Sequence, residues 1–197
     1  DNRYMLNMVE EYPGVFSAVA IIDENGPKVP ALMKTHARHG VRGFRLYASE
    51  EKAAGWLDSD GMQSMWSTGA SANLAMCCLA DPEALPHIHA MCERFPETPV
   101  VIDHFARIGM SGTVDQSRLD QLLKLADFPQ VHIKVSAFYA LGEKKPPYTD
   151  LAPMIRQLRD AYGAERLMWG SDCPYQIEGD HDYESSISLI RDKLDFL

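Results

Sequence analysis

The sequence of 197 residues predicts an α/β fold built on a parallel sheet. Six short, nearly continuous apolar runs recur along the chain, as expected of strands that are buried on both faces of such a sheet. Segments with helical patterning separate these runs at intervals of about one βα unit. Because the chain is too short for two domains of ordinary size, we expect a single domain over residues 1–197.

The predicted strands share a high content of apolar residues and a short length. They are Val15–Asp23, Gly40–Tyr47, Leu74–Ala80, Val100–Ala106, Val131–Phe138 and Leu167–Asp172. Six strands suit either an open doubly wound sheet or part of a barrel. No G-x-G-x-x-G follows the first run and no P-loop occurs, so the usual phosphate-binding reasons for an open sheet are absent.

The first two predicted helices lie in the first half of the chain. Lys28–His39 ends at Gly40, a residue that suits the left-handed backbone after a helix. Gly61–Ser71 occupies the longer connection between the second and third strands.

Three further helices follow the third, fourth and fifth strands. Pro82–Phe95 follows Asp81, which suits the N-cap, and Pro82 suits the first helical position. Asp115–Ala126 carries leucines at helical spacing. Leu151–Tyr162 follows Asp150 as a candidate cap.

Charge and cysteine usage limit the classes of partner. With 28 acidic and 19 basic side chains, the formal net charge is -9, which repels phosphate backbones and anionic membrane surfaces. We therefore expect no nucleic-acid partner and no membrane partner. The 4 cysteines show no C-x-x-C spacing, which argues against a disulfide framework or a zinc knuckle. Reduced thiols in a cytoplasmic protein are the expectation.

Polar side chains occur near the ends of four of the predicted strands. They are Arg45, Asp103, His104, Lys134, Ser136, Ser171 and Asp172. The carboxyl ends of parallel strands meet on one face of the sheet, where catalytic groups collect. Burial of polar groups costs free energy unless they are paired or functional. An imidazole and a carboxylate in such a place suit hydrolysis, since they can ligate a metal, stabilise an oxyanion or accept a proton.

A structural interpretation of the same residues has equal weight at this point. Asp103 and Asp172 could cap the loops that begin there, and His104 could be a buried histidine with satisfied hydrogen bonds. Spacing alone favours neither interpretation.

Four segments carry a resemblance to a known family. They are GVRGFRL at Gly40–Leu46, VIDHFARIG at Val101–Gly109, HIKVSAF at His132–Phe138 and RLMWGSDCP at Arg166–Pro174. In this order they resemble the amidohydrolase-related (amidohydrolase 2) group of metal-dependent hydrolases, in its lactonase-like branch. The resemblance covers nearly the whole chain and implies a (β/α)8 TIM-type barrel.

The resemblance also implies roles for individual residues. His104 and Asp172 match catalytic positions that often bind a divalent metal, with zinc expected, although some members need no metal. Arg45 and Arg107 match positions that bind substrate carboxylates, and Lys134 and Ser136 match a K-x-S motif that we place with the substrate-binding residues. The implied reaction is the opening of a lactone of a sugar acid or a dicarboxylate by activated water, on a small anionic substrate.

The sequence departs from the family pattern in several places. Cys173 replaces the usual tryptophan, and Ala106 and Ala137 replace glycines. The H-x-H pair of the first barrel strand is expected before Asp1, and the last helix after Leu197, so we expect an incomplete barrel. Its open sheet edges would favour a homo-oligomer.

His87 and His89 have the H-x-H spacing, but they fall inside a predicted helix. Residues two apart point about 200° away from each other around a helix, so this pair does not replace the missing ligands.

Two alternatives remain at the level of the sequence. One is a metal-dependent non-oxidative decarboxylase on the same fold. The other is a truncated homologue without catalytic activity.

Overall fold

A computed structural model describes residues 1–197, in which six parallel strands form one curled sheet with helices packed against it. The strands are β1 Ala18–Ala20, β2 Val41–Ala48, β3 Ala75–Ala80, β4 Val100–Ile102, β5 Val131–Val135 and β6 Leu167–Trp169. They lie in the sheet in the order in which they occur in the sequence. This order, with a helical crossover between successive parallel strands, is that of a (β/α) barrel, and the predicted fold class is confirmed as a partial TIM-type barrel.

Eight α-helices accompany the strands. They are α1 Arg3–Glu11, α2 Val29–Arg38, α3 Glu50–Ala53, α4 Asp60–Ala72, α5 Leu85–Arg94, α6 Gln116–Lys124, α7 Ala152–Tyr162 and α8 Tyr183–Ser188. The five predicted helices are confirmed as α2, α4, α5, α6 and α7. None of the helices combines the length and the apolar character that crossing a membrane would require.

The two predicted aspartate caps differ in outcome: Asp81 occupies the N-cap position of the turn that leads into α5 but makes no side-chain capping bond, and Asp150 does not cap a helix. Asp150 does not cap α7, because a 3₁₀ turn over Thr149–Leu151 precedes that helix and the Asp150 carboxylate accepts the Glu143 N–H at 2.8 Å. Asp81 precedes a 3₁₀ turn that leads into α5, but its side chain makes no capping bond there. Each carboxylate instead accepts a hydrogen bond from a residue outside the following helix, Glu143 for Asp150 and Arg107 for Asp81.

The two longest strands of the sheet approach each other closely. β2 and β3 pair in parallel over six positions, and Gly43 lies opposite Ala75. A Cβ atom on Gly43 would lie 2.9 Å from both the Ala75 carbonyl oxygen and Cys77 Sγ. Glycine is therefore required for this close strand packing.

β1 and β6 form the two edges of the sheet. Val19 within β1 and Ile21 just after it are 39% and 49% exposed, and Trp169 on β6 is only partly buried. The open edges expected from the sequence are thus present in residues 1–197. Self-association through them stays a prediction.

Candidate active site

A cleft of about 620 Å³ opens at the carboxyl ends of the strands. Arg45, His104, Arg107 and Asp172 line it, so four of the six predicted site residues meet in one place. The other two, Lys134 and Ser136, lie close behind the lining and contact its residues. The structure thus brings the six residues together at the strand ends, and their roles in a functional site stay a prediction.

The chain takes an unusual path after β4. The strand ends at Ile102, so the prediction that it continues to Ala106 was wrong. From His104 to Arg107 four consecutive residues adopt left-handed backbone, with φ of 53° at His104 and 58° at Arg107. For residues other than glycine this conformation costs about 1–2 kcal/mol each. The turn brings His104 and Arg107, three residues apart, to the lining of the same cleft.

His104 lies between a serine and an aspartate. Its Nδ1 is 2.8 Å from Ser136 Oγ, and its Nε2 is 3.6 Å from Asp172 Oδ1. Burial lowers the pKa of His104 and outweighs the neighbouring carboxylates of Asp172 and Asp103, which raise it. The imidazole is therefore neutral at neutral pH, with one ring nitrogen as a donor and the other as an acceptor.

Asp172 is held by a residue that the sequence did not identify. The Tyr139 hydroxyl donates a hydrogen bond to Asp172 Oδ2 at 2.8 Å. Burial and the neighbouring Asp172 carboxylate both raise the pKa of Tyr139, so the phenol stays protonated and keeps donating. Oδ2 is thereby occupied, and Oδ1 is the oxygen that faces His104. Tyr139 lies in an apolar and aromatic stretch after β5, and nothing in the local sequence indicates that its hydroxyl contacts a site residue.

Asp103 forms an inner ion cluster behind the cleft. Its side chain is fully buried and lies 2.5 Å from Lys134 Nζ and 3.3 Å from Arg45 Nη2. Both cationic side chains are partly buried. Asp103 was predicted only as a polar strand-end residue or a loop cap, whereas the structure makes it the shared partner of two cations.

Arg107 forms a second ion pair at the rim of the cleft. Its Nη1 donates to Asp81 Oδ1 at 2.8 Å, and the two side chains are 36% and 40% exposed. The resemblance assigned Arg107 to a substrate carboxylate, and the local sequence assigned Asp81 to a helix N-cap. In the structure each is the other's partner, and Arg107 still lines the cleft.

A zinc site requires donor atoms of the right type, spacing and number. His104 Nε2 and Asp172 Oδ1 are donors that zinc accepts, and their spacing of 3.6 Å is compatible with two ligands of one tetrahedral ion. Zinc normally takes at least three protein ligands. No group of three or more His, Cys, Asp or Glu side chains in this chain is arranged to hold a metal ion. These residues do not by themselves form a complete zinc site.

Two curated relatives match most of the chain. L-Fucono-1,5-lactonase of Burkholderia ambifaria is 29% identical over 175 residues, which are 88% of this chain and 60% of that protein. 4-Sulfomuconolactone hydrolase of Hydrogenophaga intermedia is 28% identical over 179 residues, 89% of this chain and 56% of that protein. The chain thus spans less than two thirds of the length of these relatives.

A solved structure and a family model agree with these matches. An amidohydrolase from Burkholderia multivorans, determined with bound zinc, superimposes with a TM-score of 0.81 at 22% identity, over 96% of this chain and 69% of that one. At this identity the likeness shows the shared fold. The model of the family described as amidohydrolase matches residues 1–190. The chain therefore belongs to the amidohydrolase family.

Proposed function

We propose that this chain carries the hydrolytic site of a lactone-opening enzyme. The observation that supports this most strongly is the arrangement of His104 Nε2 and Asp172 Oδ1, which face each other at 3.6 Å inside the cleft. This distance exceeds that of a direct hydrogen bond, so both atoms can contact a third group. The names of the two curated relatives, both of which describe lactone hydrolases, point to the same reaction.

Asp172 acts as the general base. Tyr139 occupies Oδ2, so Oδ1 accepts a proton from the attacking water. The water oxygen then bonds to the lactone carbonyl carbon and forms a tetrahedral intermediate. Because Tyr139 holds one carboxylate oxygen, the other keeps a fixed orientation toward the reacting carbon.

His104 stabilises the oxyanion of that intermediate. The Asp172 carboxylate faces Nε2 and favours the tautomer that carries its proton there. The Ser136 hydroxyl then donates to Nδ1 at 2.8 Å and fixes this tautomer. Nε2–H is thus available as a donor to the former carbonyl oxygen.

Collapse of the intermediate completes the reaction. The ring C–O bond breaks, and the leaving alkoxide takes the proton that Asp172 accepted from water. The product is a hydroxy acid, which ionises at neutral pH. Zinc, the ion expected from the resemblance, would require ligands beyond His104 and Asp172, so no step is assigned to it.

A substrate panel tests this proposal. The purified chain is incubated with L-fucono-1,5-lactone and with 4-sulfomuconolactone, and acid release is followed with a pH indicator. Hydrolysis above the spontaneous rate, absent in Asp172→Asn, is the expected result. A parallel measurement of carbon dioxide from aromatic carboxylates covers the decarboxylase alternative. Carbon dioxide release without lactone opening, or no turnover of either class, would overturn the proposal.

A further inference from the structure

We propose that Asp81 determines the charge selectivity of the cleft. By keeping Arg107 in an internal ion pair, Asp81 makes the cleft accept uncharged, hydroxyl-bearing lactones and discriminate against substrates with several negative charges. This inference rests on the proposed lactone-opening function and assigns a specificity role to a residue at the rim.

The position of Asp81 is fixed by the fold. Asp81 follows β3 directly, and its N–H donates to the Ala48 carbonyl oxygen at 3.0 Å at the end of β2. Arg107 comes from the neighbouring strand end, at the last residue of the left-handed turn. The ion pair therefore connects the β3 and β4 ends of the barrel across the rim, and both partners are anchored by backbone structure.

The charges around the cleft are balanced. Arg45 and Lys134 share Asp103, and Arg107 pairs with Asp81. These three cations are matched by three carboxylates, since Asp172 contributes the third. The cleft offers no surplus positive charge to a polyanion.

A neutral substrate can still use Arg107. Asp81 occupies only Nη1 of the guanidinium, which leaves further N–H donors directed elsewhere. A hydroxyl or carbonyl oxygen can accept from these without bringing a second negative charge beside Asp81. A carboxylate or sulfonate in the same place would be repelled by Asp81 or would have to displace it. The rings of Tyr47 and Tyr175 also line the cleft and offer flat surfaces that suit the ring of such a substrate.

Asp81→Asn tests the proposal, with Glu83→Gln as its matched control. Glu83 lies two residues further along, its carboxylate pairs with Arg118 at 2.5 Å, and its exposure of 41% is nearly that of Asp81. It does not line the cleft. Each variant therefore removes one partly exposed carboxylate from an arginine pair, but only Asp81→Asn frees an arginine of the cleft. Asp81→Ser serves as a second uncharged variant, and melting temperatures show which variants fold.

The primary measurement is the affinity for citrate, a trianion, by isothermal titration calorimetry. We expect citrate to bind about two- to fivefold more tightly to Asp81→Asn or Asp81→Ser than to the wild type, in line with the strength of partly exposed charge pairs. Glu83→Gln should bind it as the wild type does. Unchanged citrate affinity in the folded uncharged variants would overturn the proposal.

The kinetic measurement compares kcat/KM for D-glucono-1,5-lactone with that for a sulfonated lactone. The ratio should move toward the sulfonated substrate by a similar factor in Asp81→Asn. A wild-type preference for the sulfonated lactone, unchanged in Asp81→Asn, would overturn the proposal while lactone opening stands. Tighter citrate binding in a chain that opens no lactone would support the charge role and contradict the proposed function instead.

Discussion

The site contains two arginine–aspartate systems that differ mainly in burial. In the inner cluster, a fully buried Asp103 is shared by Arg45 and Lys134. At the rim, Asp81 and Arg107 form a single pair of which more than a third of each side chain is exposed. Solvent can replace either partner at the rim, whereas nothing but the two cations compensates the charge of Asp103. We therefore expect the buried Asp103 cluster to contribute mainly to the stability of the fold, and the exposed Asp81–Arg107 pair to contribute mainly to substrate selectivity.

Asp103→Asn should have the largest effect on folding. The substitution leaves Arg45 and Lys134 without their shared counter-charge, and removal of one partner from a buried ion cluster costs about 3 kcal/mol. Guanidinium denaturation measures the free energy of unfolding.

Asp81→Asn is the natural comparison in the same experiment. Exposed ion pairs contribute less than about 1 kcal/mol, so its free energy of unfolding should stay near that of the wild type. Equal losses in the two variants would show that burial does not separate the two systems.

Ser136→Ala should reduce turnover by about fivefold while the cleft keeps its shape. Without the Ser136 hydroxyl, His104 Nδ1 loses the donor that favours a proton on Nε2, and loss of one such hydrogen bond is worth about 1 kcal/mol. The fall should appear in kcat with little change in KM, because Ser136 lies behind the cleft lining. Steady-state kinetics with the lactone that the wild type opens gives both constants. A change in KM alone would place Ser136 in substrate binding instead.

Helix positions could be predicted because apolar spacing is a local property that the sequence displays directly. The proximity of His104 and Asp172 could be predicted because a parallel sheet brings strand ends together, whatever the intervening loops do, whereas their catalytic roles rest on the resemblance and stay a prediction. The hydrogen-bond and ion-pair partners of the site residues could not be predicted. Tyr139 meets Asp172 from a position 33 residues earlier, and Arg107 meets Asp81 from 26 residues later. Local sequence assigned Asp81 and Asp150 to helix caps, and only the folded chain shows that tertiary contacts use them.

The left-handed turn cannot be predicted from the local sequence for a related reason. Residues His104–Arg107 contain no glycine, so a continuing strand was the better expectation for this apolar run. Packing stabilises the left-handed conformation of this turn, because Phe105 and Ala106 are fully buried in the core. Its cost is offset by tertiary packing, which a local pattern does not report.

The smallest expected effect is a change in the reactivity of Cys77, a buried cysteine whose pKa responds to the charges of the inner cluster. Burial raises the pKa of Cys77 to about 11, with a further contribution from the Asp103 carboxylate, and burial raises that of Cys92 to about 12. Cys78 is shifted upward in the same way. Since the thiolate is the reactive form, these three stay inert at pH 8, while the exposed Cys173 reacts.

Iodoacetamide labelling followed by peptide mass spectrometry measures this reactivity. One labelled cysteine in the native chain and four after denaturation are expected. If Asp103→Asn loosens the inner cluster, Cys77 should become labelled in that variant and stay protected in Asp81→Asn. Rapid labelling of Cys77 in the native wild type would contradict the packed inner cluster.

The most direct test of the account is the turnover of Asp172→Asn on a lactone that the wild type opens. The amide keeps an oxygen that can accept from Tyr139, so the site retains its shape, but it cannot accept a proton from water. A fall in kcat by a factor of about 10²–10⁴, with an unchanged melting temperature, is the predicted result. Turnover near that of the wild type would show that Asp172 is not the base and would contradict the proposed site.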